Sequence, residues 1–340
     1  MEKKSTKKSV IIILIIILVA LVSSVITFGV LRYQNAYNEK NAYYGMDTSN
    51  TNELYELSNS NNLIYDAKAN RIFESNCLGN YNTNLLSYGC IYSDGGIKIV
   101  STDNIVLEQN GEKIKISGTP GSYINRIGDS VYYRNDEDRK VYHYSIKSQE
   151  THCLIEKQCG EVIVSTKGIA FIDYESESLS HYSFEDKEIK CISEEKITEF
   201  AIVGDKYFCL AKNGNLFLLN VDGKSSLVEK DVDKFYYAGN IVIQKKDSVF
   251  VLNNSILSKL RGKNIKGRLV GCDDERVYII EDKDISSYDI QDGKFIDTVT
   301  TLSDDQVLKS LYIFDDGYEL IVMSETEEQY MPKNISIKQK

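Results

Sequence analysis

The sequence predicts an all-β fold of repeated antiparallel sheets, a β-propeller, preceded by a single N-terminal transmembrane helix. Three observations carry this prediction: one long uncharged run, short alternating segments after it, and two interlocking repeat registers. With 340 residues the chain can bury a large core, as one big domain or two ordinary ones. Hydrophobic residues make up 42% and mean hydropathy is -0.30, a composition that excludes disorder throughout.

The run is Val10 to Leu31, VIIILIIILVALVSSVITFGVL. As a helix rising about 1.5 Å per residue it spans roughly 33 Å, enough for the hydrocarbon core of a bilayer. Lys3, Lys4, Lys7 and Lys8 precede it, offset only by Glu2, whereas Arg32, Glu39 and Lys40 follow. This bias predicts residues 1–9 as a short cytoplasmic tail and 10–31 as a signal-anchor helix, with everything beyond it outside the cell. A cleaved signal peptide is the rival. The apolar stretch exceeds the usual signal core, and Gln34, not a small residue, stands two positions before Ala36. The expected location is the cell membrane, single-pass, with an extracytoplasmic C-terminal domain.

The chain carries 40 basic and 50 acidic residues, a net charge of -10. Without the four lysines and Glu2 of the N-terminal tail, 36 basic and 49 acidic residues remain. That surplus disfavours a broad nucleic-acid surface and a domain lying flat on anionic lipid. Residues 32–60 are polar and rich in Asn, Tyr and Glu, as expected of a stalk. Tyr33, Tyr37, Tyr43 and Tyr44 suit either packing on the domain or the lipid headgroup layer.

Residues 61–340 change character. Short β-like runs begin at Asn62, Gly95, Gly128, Gly168, Gly204, Gly239, Asp274 and Asp316, separated by 33, 33, 40, 36, 35, 35 and 42 residues. All but the last are followed by a second strand, in order RIFES, NIVLEQ, KVYHYSI, SLSHYSF, NLFLLNV, SVFVLNN and ISSYDI. Aligning Leu107, Tyr144, Tyr182, Leu219, Leu252 and Tyr288 gives spacings of 37, 38, 37, 33 and 36. Helical repeats share this period but need continuous 3.6-residue stripes. Here alternation dominates: Val141, His143 and Ser145 face one side, Tyr142, Tyr144 and Ile146 the other. Four short strands per repeat is the spacing of a propeller blade. Seven blades are expected, with eight or six as alternatives and one blade assembled from both chain ends. A pair of β-sandwiches or a three-sided β-helix are the competing arrangements.

Units such as GDSVYYRNDEDRKVYHYSIKSQETHCLIE and GDKYFCLAKNGNLFLLNVDGKSSLVEK run Gly, aromatic strand, polar turn, second strand, then a turn into an outer strand. Over about residues 60–337 they resemble a bacterial, membrane-tethered family of unknown function with a low-density-lipoprotein-receptor-related, propeller-like domain. The Tyr-Trp-Thr-Asp signature of the receptor blades is absent, as the chain has no Trp. The resemblance implies a fold and an extracytoplasmic setting, and no catalytic residue or ligand.

Seven cysteines cannot all pair within one chain. The candidate disulfides are Cys77 with Cys90, Cys153 with Cys159 and Cys191 with Cys209, leaving Cys272; the alternative is that several are small buried apolar residues. His143 and His181 fall at equivalent repeat positions, which internal repetition explains better than metal binding. The sequence contains no HExxH, GxSxG, P-loop or sialidase Asp-box. Asp136–Glu137–Asp138, Asp273–Asp274–Glu275 and Asp315–Asp316 gather oxygen ligands of the kind calcium takes, without an EF-hand spacing. Solvated turns favour the same residues. No catalytic, cofactor or metal residue is therefore singled out. The expected function is a non-catalytic binding or scaffolding module for an envelope protein or glycan. The alternatives are an envelope glycoside-active enzyme with carboxylates at an axial pocket, and a sensor or assembly component working through a membrane partner.

Overall fold

Alternating β-branched and aromatic residues fold into strands wherever the sequence registers place them. The computed structural model describes the backbone of residues 63–66, 71–74, 80–324 and 333–338, short turns apart, with side chains from residue 80 onward. The tail, the apolar run and the stalk lie outside these residues. Among the described residues the one helix is α1 (Asn82–Leu85), and none is long and apolar enough to cross a membrane.

Among the described residues, twenty-nine strands form eight antiparallel sheets in which neighbours along the chain are neighbours in space. A hairpin of β1 (Leu63–Asp66) and β2 (Arg71–Glu74) comes first. Sheet 1 is β3 (Ile91–Asp94), β4 (Ile97–Ser101), β5 (Ile105–Gln109) and β6 (Glu112–Ser117). Sheet 2 is β7 (Gly121–Ile127), β8 (Ser130–Asn135), β9 (Val141–Ser145) and β10 (Glu150–Ile155). Sheet 3 is β11 (Cys159–Val164), β12 (Gly168–Asp173), β13 (Leu179–Ser183) and β14 (Ile189–Ser193). Sheet 4 is β15 (Ile197–Val203), β16 (Lys206–Ala211), β17 (Leu216–Asn220) and β18 (Ser225–Glu229). Sheet 5 is β19 (Lys234–Tyr237), β20 (Ile241–Lys245), β21 (Ser248–Asn253) and β22 (Ile256–Lys259). Sheet 6 is β23 (Arg268–Cys272), β24 (Arg276–Glu281), β25 (Asp284–Asp289) and β26 (Phe295–Thr301). Sheet 7 has three strands, β27 (Gln306–Phe314), β28 (Gly317–Ser324) and β29 (Lys333–Lys338).

The two sequence registers correspond to the second and third strands of each sheet, and the first expected unit is the β1–β2 hairpin. Among the described residues sheet 7 takes its strands from the C-terminal end, while β1 and β2 pair with each other. Side-chain packing joins the last sheet to the first: Tyr312, Phe314 and Ile321 share a core cluster with Ile91, and Lys98 Nζ lies 2.8 Å from Glu319 Oε1.

Burial follows each strand's position in its sheet. All six residues of β12 are buried, whereas the outer strands β14 and β26 are largely exposed. A purely apolar outer strand would leave an adhesive edge. Turns are built from recurring local chemistry. Asn110 (φ 52°) and Gly111 (φ 81°) join β5 to β6 with two left-handed residues, as a type I′ hairpin requires. In a second pattern, a strand-ending Asp or Ser caps two amide groups ahead of it. Asp173 Oδ1 accepts from Glu175 and Ser176, Ser183 Oγ from Glu185 and Asp186, and Asp289 Oδ1 from Gln291 and Asp292.

Successive sheets are also stitched by side chains reaching a neighbouring backbone or carboxylate. Gly121 N donates to Ser101 Oγ (2.8 Å), Arg134 Nη1 to Gly160 O (2.7 Å) and Phe200 N to Glu161 Oε2 (2.7 Å). Lys234 Nζ donates to Glu199 Oε1 (2.5 Å), Leu269 N to Gln244 Oε1 (2.9 Å) and Arg268 Nη2 to Leu308 O (3.3 Å).

Candidate functional site at the centre of the sheets

The segment from Asn80 to Gly89, NYNTNLLSYG, lies among the first strands of the sheets, bonding to six of the numbered seven and sharing a core cluster with the other. Its three asparagines act as substitute backbone. Asn80 Nδ2 donates to Ile91 O and Ile124 O (both 2.9 Å), and its amide to Asn125 Oδ1 (2.6 Å). Asn82 Nδ2 reaches Ile202 O at 3.3 Å. Asn84 pairs with Ile313 in both directions, Nδ2 to its carbonyl (2.9 Å) and Oδ1 from its amide (2.8 Å). Cys272 N donates to Thr83 Oγ1, Ser87 Oγ to Tyr236 Oη and Tyr312 Oη to Ser87 O. These bonds reach sheets 1, 2, 4, 5, 6 and 7, and Leu85 packs into the cluster holding Val162 and Ile163 of sheet 3.

Packing reinforces the polar contacts. Leu85 and Leu86 are 1% and 3% exposed, in different core clusters, and burying each contributes about 1.5–3 kcal/mol. The segment ends in a tight reversal at Tyr88 (φ 69°) and Gly89 (φ 51°) before entering β3. A Cβ at Gly89 would sit 3.0 Å from Tyr123 Cα, so glycine is required both for φ and for space.

Where the segment ends, the first strands contribute ionisable side chains. Backbone bulges in β11, between Cys159 and Val162, and in β15, between Ile197 and Glu199, redirect side chains there. Glu161 is 6% exposed and accepts the Phe200 amide. Lys234 Nζ joins Glu199 Oε1 to Leu86 O, the latter at 3.1 Å. Burial, reinforced by Glu199, pushes the Glu161 carboxyl well above the usual carboxylate range. Burial also raises Glu199, against the opposing pull of Lys234. On Lys234, burial opposes the charge, but Tyr236 and Glu199 outweigh it and raise the ammonium. Nearby, Arg134 lies 4.9 Å over the Tyr123 ring and is paired with Asp136 at 2.7 Å. Tyr88, at the end of the segment, is 53% exposed.

The sequence-predicted candidates lie elsewhere and do not converge. Cys77 lies outside the described residues, so the Cys77–Cys90 pairing does too. The other two expected disulfides are not formed among the described residues: Cys153, Cys159, Cys191 and Cys209 are free thiols, as is Cys272. Cys153 Sγ and Cys159 Sγ each turn toward a backbone carbonyl two residues away, of Ile155 and Lys157. Cys191 is exposed on the outer strand of sheet 3, whereas Cys209 is buried in the second strand of sheet 4. His143 Nε2 bonds Ser130 Oγ at 2.9 Å, and within sheet 3 the His181 ring of β13 packs against Gly168 of the adjacent β12. Burial lowers the pKa of both imidazoles. Of the acidic turns, Asp315 and Asp316 lie outside the described residues. Asp136 is taken up by Ser122 and Arg134, Asp138 by Tyr142, and Asp273 by the Glu275 and Arg276 amides and Tyr278 Oη. Among the described residues no group of three or more His, Cys, Asp or Glu side chains is arranged to hold a metal ion.

No family model matches the sequence, and no characterised protein matches it. Solved structures do match. The CNH domain of AfRom2 aligns with a TM-score of 0.52 at 9% identity, over 74% of this chain and 95% of that one. PorZ, a surface component of the type-IX secretion system of Porphyromonas gingivalis, aligns at 0.50 and 11% identity, over 74% of this chain and 38% of its own. The dihydro-heme d1 dehydrogenase NirN aligns at 0.50 and 9% identity, over 73% and 67%. At such identities the likeness is one of fold alone: an all-β, propeller-like array of mostly four-stranded sheets. The resemblance read from the repeat units thus holds at the level of fold.

Proposed function

We propose that the chain is a membrane-anchored, extracytoplasmic binding or scaffolding module without catalysis, built as a closed seven-bladed propeller whose axial channel is filled by its own chain. The observation that carries this reading is the central segment. A stretch of ten residues that bonds to the first strands of six sheets and packs into a core cluster with the seventh does what an axial plug would do, and the packing of sheet 7 on sheet 1 supports closure. In an axial enzyme the carboxylates of the first strands would line an open pocket. Here Glu161 and Glu199 are the carboxylates such a pocket would use, yet one is bound to a backbone amide and the other to Lys234, with Leu86 in front of them.

A plugged propeller interacts through its faces. On the face where the first strands begin, Tyr88 is 53% and Tyr174 46% exposed, and Arg139 lies 4.1 Å over the Tyr174 ring. Exposed Tyr and Arg are the residue types that anchor protein and glycan contacts. The Val10–Leu31 helix would hold this face near the envelope and raise the effective concentration of partners there. The structural relatives include an enzyme, NirN, and a surface component of a secretion system, PorZ, so the fold leaves the choice to the site.

Photo-crosslinking from positions 88 and 174 of the full-length protein in its membrane tests this. A discrete adduct with one envelope component, lost on substituting the other tyrosine by Glu, is expected. Turnover of glycan or peptide substrates by the purified protein, unaffected by those substitutions, would overturn it.

A further inference from the structure

We propose that Glu161, Glu199 and Lys234 form a proton-operated latch tying the plug to the propeller wall, tight while Glu161 keeps its proton and loosened when rising pH removes it. The latch rests on the plug geometry and is independent of which partner the faces bind.

The geometry places two carboxylates and one ammonium around the last buried turn of the plug. Lys234 is the shared element: one Nζ holds both Glu199 Oε1 at 2.5 Å and the plug carbonyl of Leu86 at 3.1 Å. Glu161, from sheet 3, accepts the amide of Phe200, the residue after Glu199, which brings it within electrostatic reach of Lys234. The remaining titratable or charged groups facing Glu161 are Arg134, Tyr123 and Cys209. Arg134 is already paired with Asp136, and burial holds Tyr123 and Cys209 in their neutral forms. One ammonium therefore serves two buried carboxylates. The arrangement is neutral only when one of them keeps its proton, and Glu161, the more buried, is the one that does.

The consequence follows from charge. With Glu161 neutral, Lys234 is free to hold Glu199 and Leu86 together. Once Glu161 ionises, a second carboxylate competes for the ammonium and draws it from the Leu86 carbonyl, leaving a net negative charge in the wall. The folded protein holds this proton at pH values where the unfolded chain releases it. The stabilisation is therefore complete below the ordinary carboxylate pKa of about 4.3. Above it the folding equilibrium constant falls by a factor of up to about ten per pH unit, until the folded Glu161 itself ionises.

The full-length protein tests this through two readouts. In the first, the urea midpoint of wild type and Glu161→Gln is followed from pH 5 to pH 9; the glutamine keeps an acceptor for the Phe200 amide and cannot ionise. The wild type should lose stability relative to the variant as pH rises, and parallel curves would overturn the latch. The second readout needs only the wild type, and so survives a variant that fails to fold. It is the exchange of the Leu85, Leu86 and Ser87 amides, corrected for intrinsic base catalysis and compared with the sheet 3 amide of Ala170. Rising pH should accelerate the plug amides over Ala170. A constant ratio through pH 9 would contradict a pH-operated plug.

Discussion

Replacing Asn84 by Leu probes the plug at its most demanding contact. The two side chains are similar in size, so the substitution alters chemistry more than volume. Asn84 is fully buried, and its amide satisfies both the N–H and the C=O of Ile313. Leucine leaves two buried backbone groups without partners, each costing about 1–3 kcal/mol. Asn80 Oδ1 also loses a donor at 3.1 Å. Added leucine burial recovers part of this, so a net loss of about 2–4 kcal/mol is expected. Urea unfolding followed by far-UV circular dichroism reads the effect. The midpoint should fall without a change in slope, because the surface exposed on unfolding is nearly the same. If the variant unfolds at the wild-type midpoint, Asn84 does not pair with Ile313 in solution, and the plug loses its strongest polar anchor.

Three further outcomes follow. Leu86→Ala should cost about 2–5 kcal/mol in the same assay, as for other buried leucines; a loss typical of a surface site would show the segment outside the core. Thiol labelling of the native protein, mapped by peptide, should modify the exposed Cys191 and spare Cys159, Cys209 and Cys272 until unfolding. Burial holds the Cys159 thiol at a pKa of about 12, so prompt native labelling of it would contradict the packing. Calcium or a chelator should leave the melting temperature unchanged, because the carboxylates of Asp136, Asp138 and Asp273 already have protein partners. A rise with calcium concentration would reveal a site by mass action.

The repeat was legible because the second and third strands of each sheet keep strict alternation. Strands such as β8 and β9 pair in simple register, and their turns carry Gly, Asn and Asp. The first strands were harder to see. Bulges interrupt β7, β11, β15, β23 and β27, so their apolar residues fall out of period 2, and Glu161 and Glu199 stand at those interruptions. The plug was not legible at all. NYNTNLLSYG has the composition of a polar loop, and its asparagines face inward only because they meet strand carbonyls and amides from distant repeats, as Asn84 meets Ile313 across 229 positions. Period arguments locate elements that bury a face against their own neighbours. They carry no signal for a segment whose partners are spread over many sheets. The Cys191–Cys209 pairing was misjudged for a related reason, since proximity in sequence placed the two together while the boundary between sheets 3 and 4 sets them apart.

Native-state hydrogen exchange of the Leu85, Leu86 and Gly89 amides at pH 5, where the proposed latch is closed, tests the proposed axial plug most directly. These amides are bonded within the segment to Tyr81 O, Asn82 O and Asn84 O at 3.0, 2.9 and 2.9 Å. An integral plug predicts that they exchange only when the whole propeller unfolds, with the same opening free energy as the Phe200 amide in the wall. Exchange through a far smaller opening, while Phe200 stays protected, would mean the channel empties in the native state, and an axial active site would return to consideration.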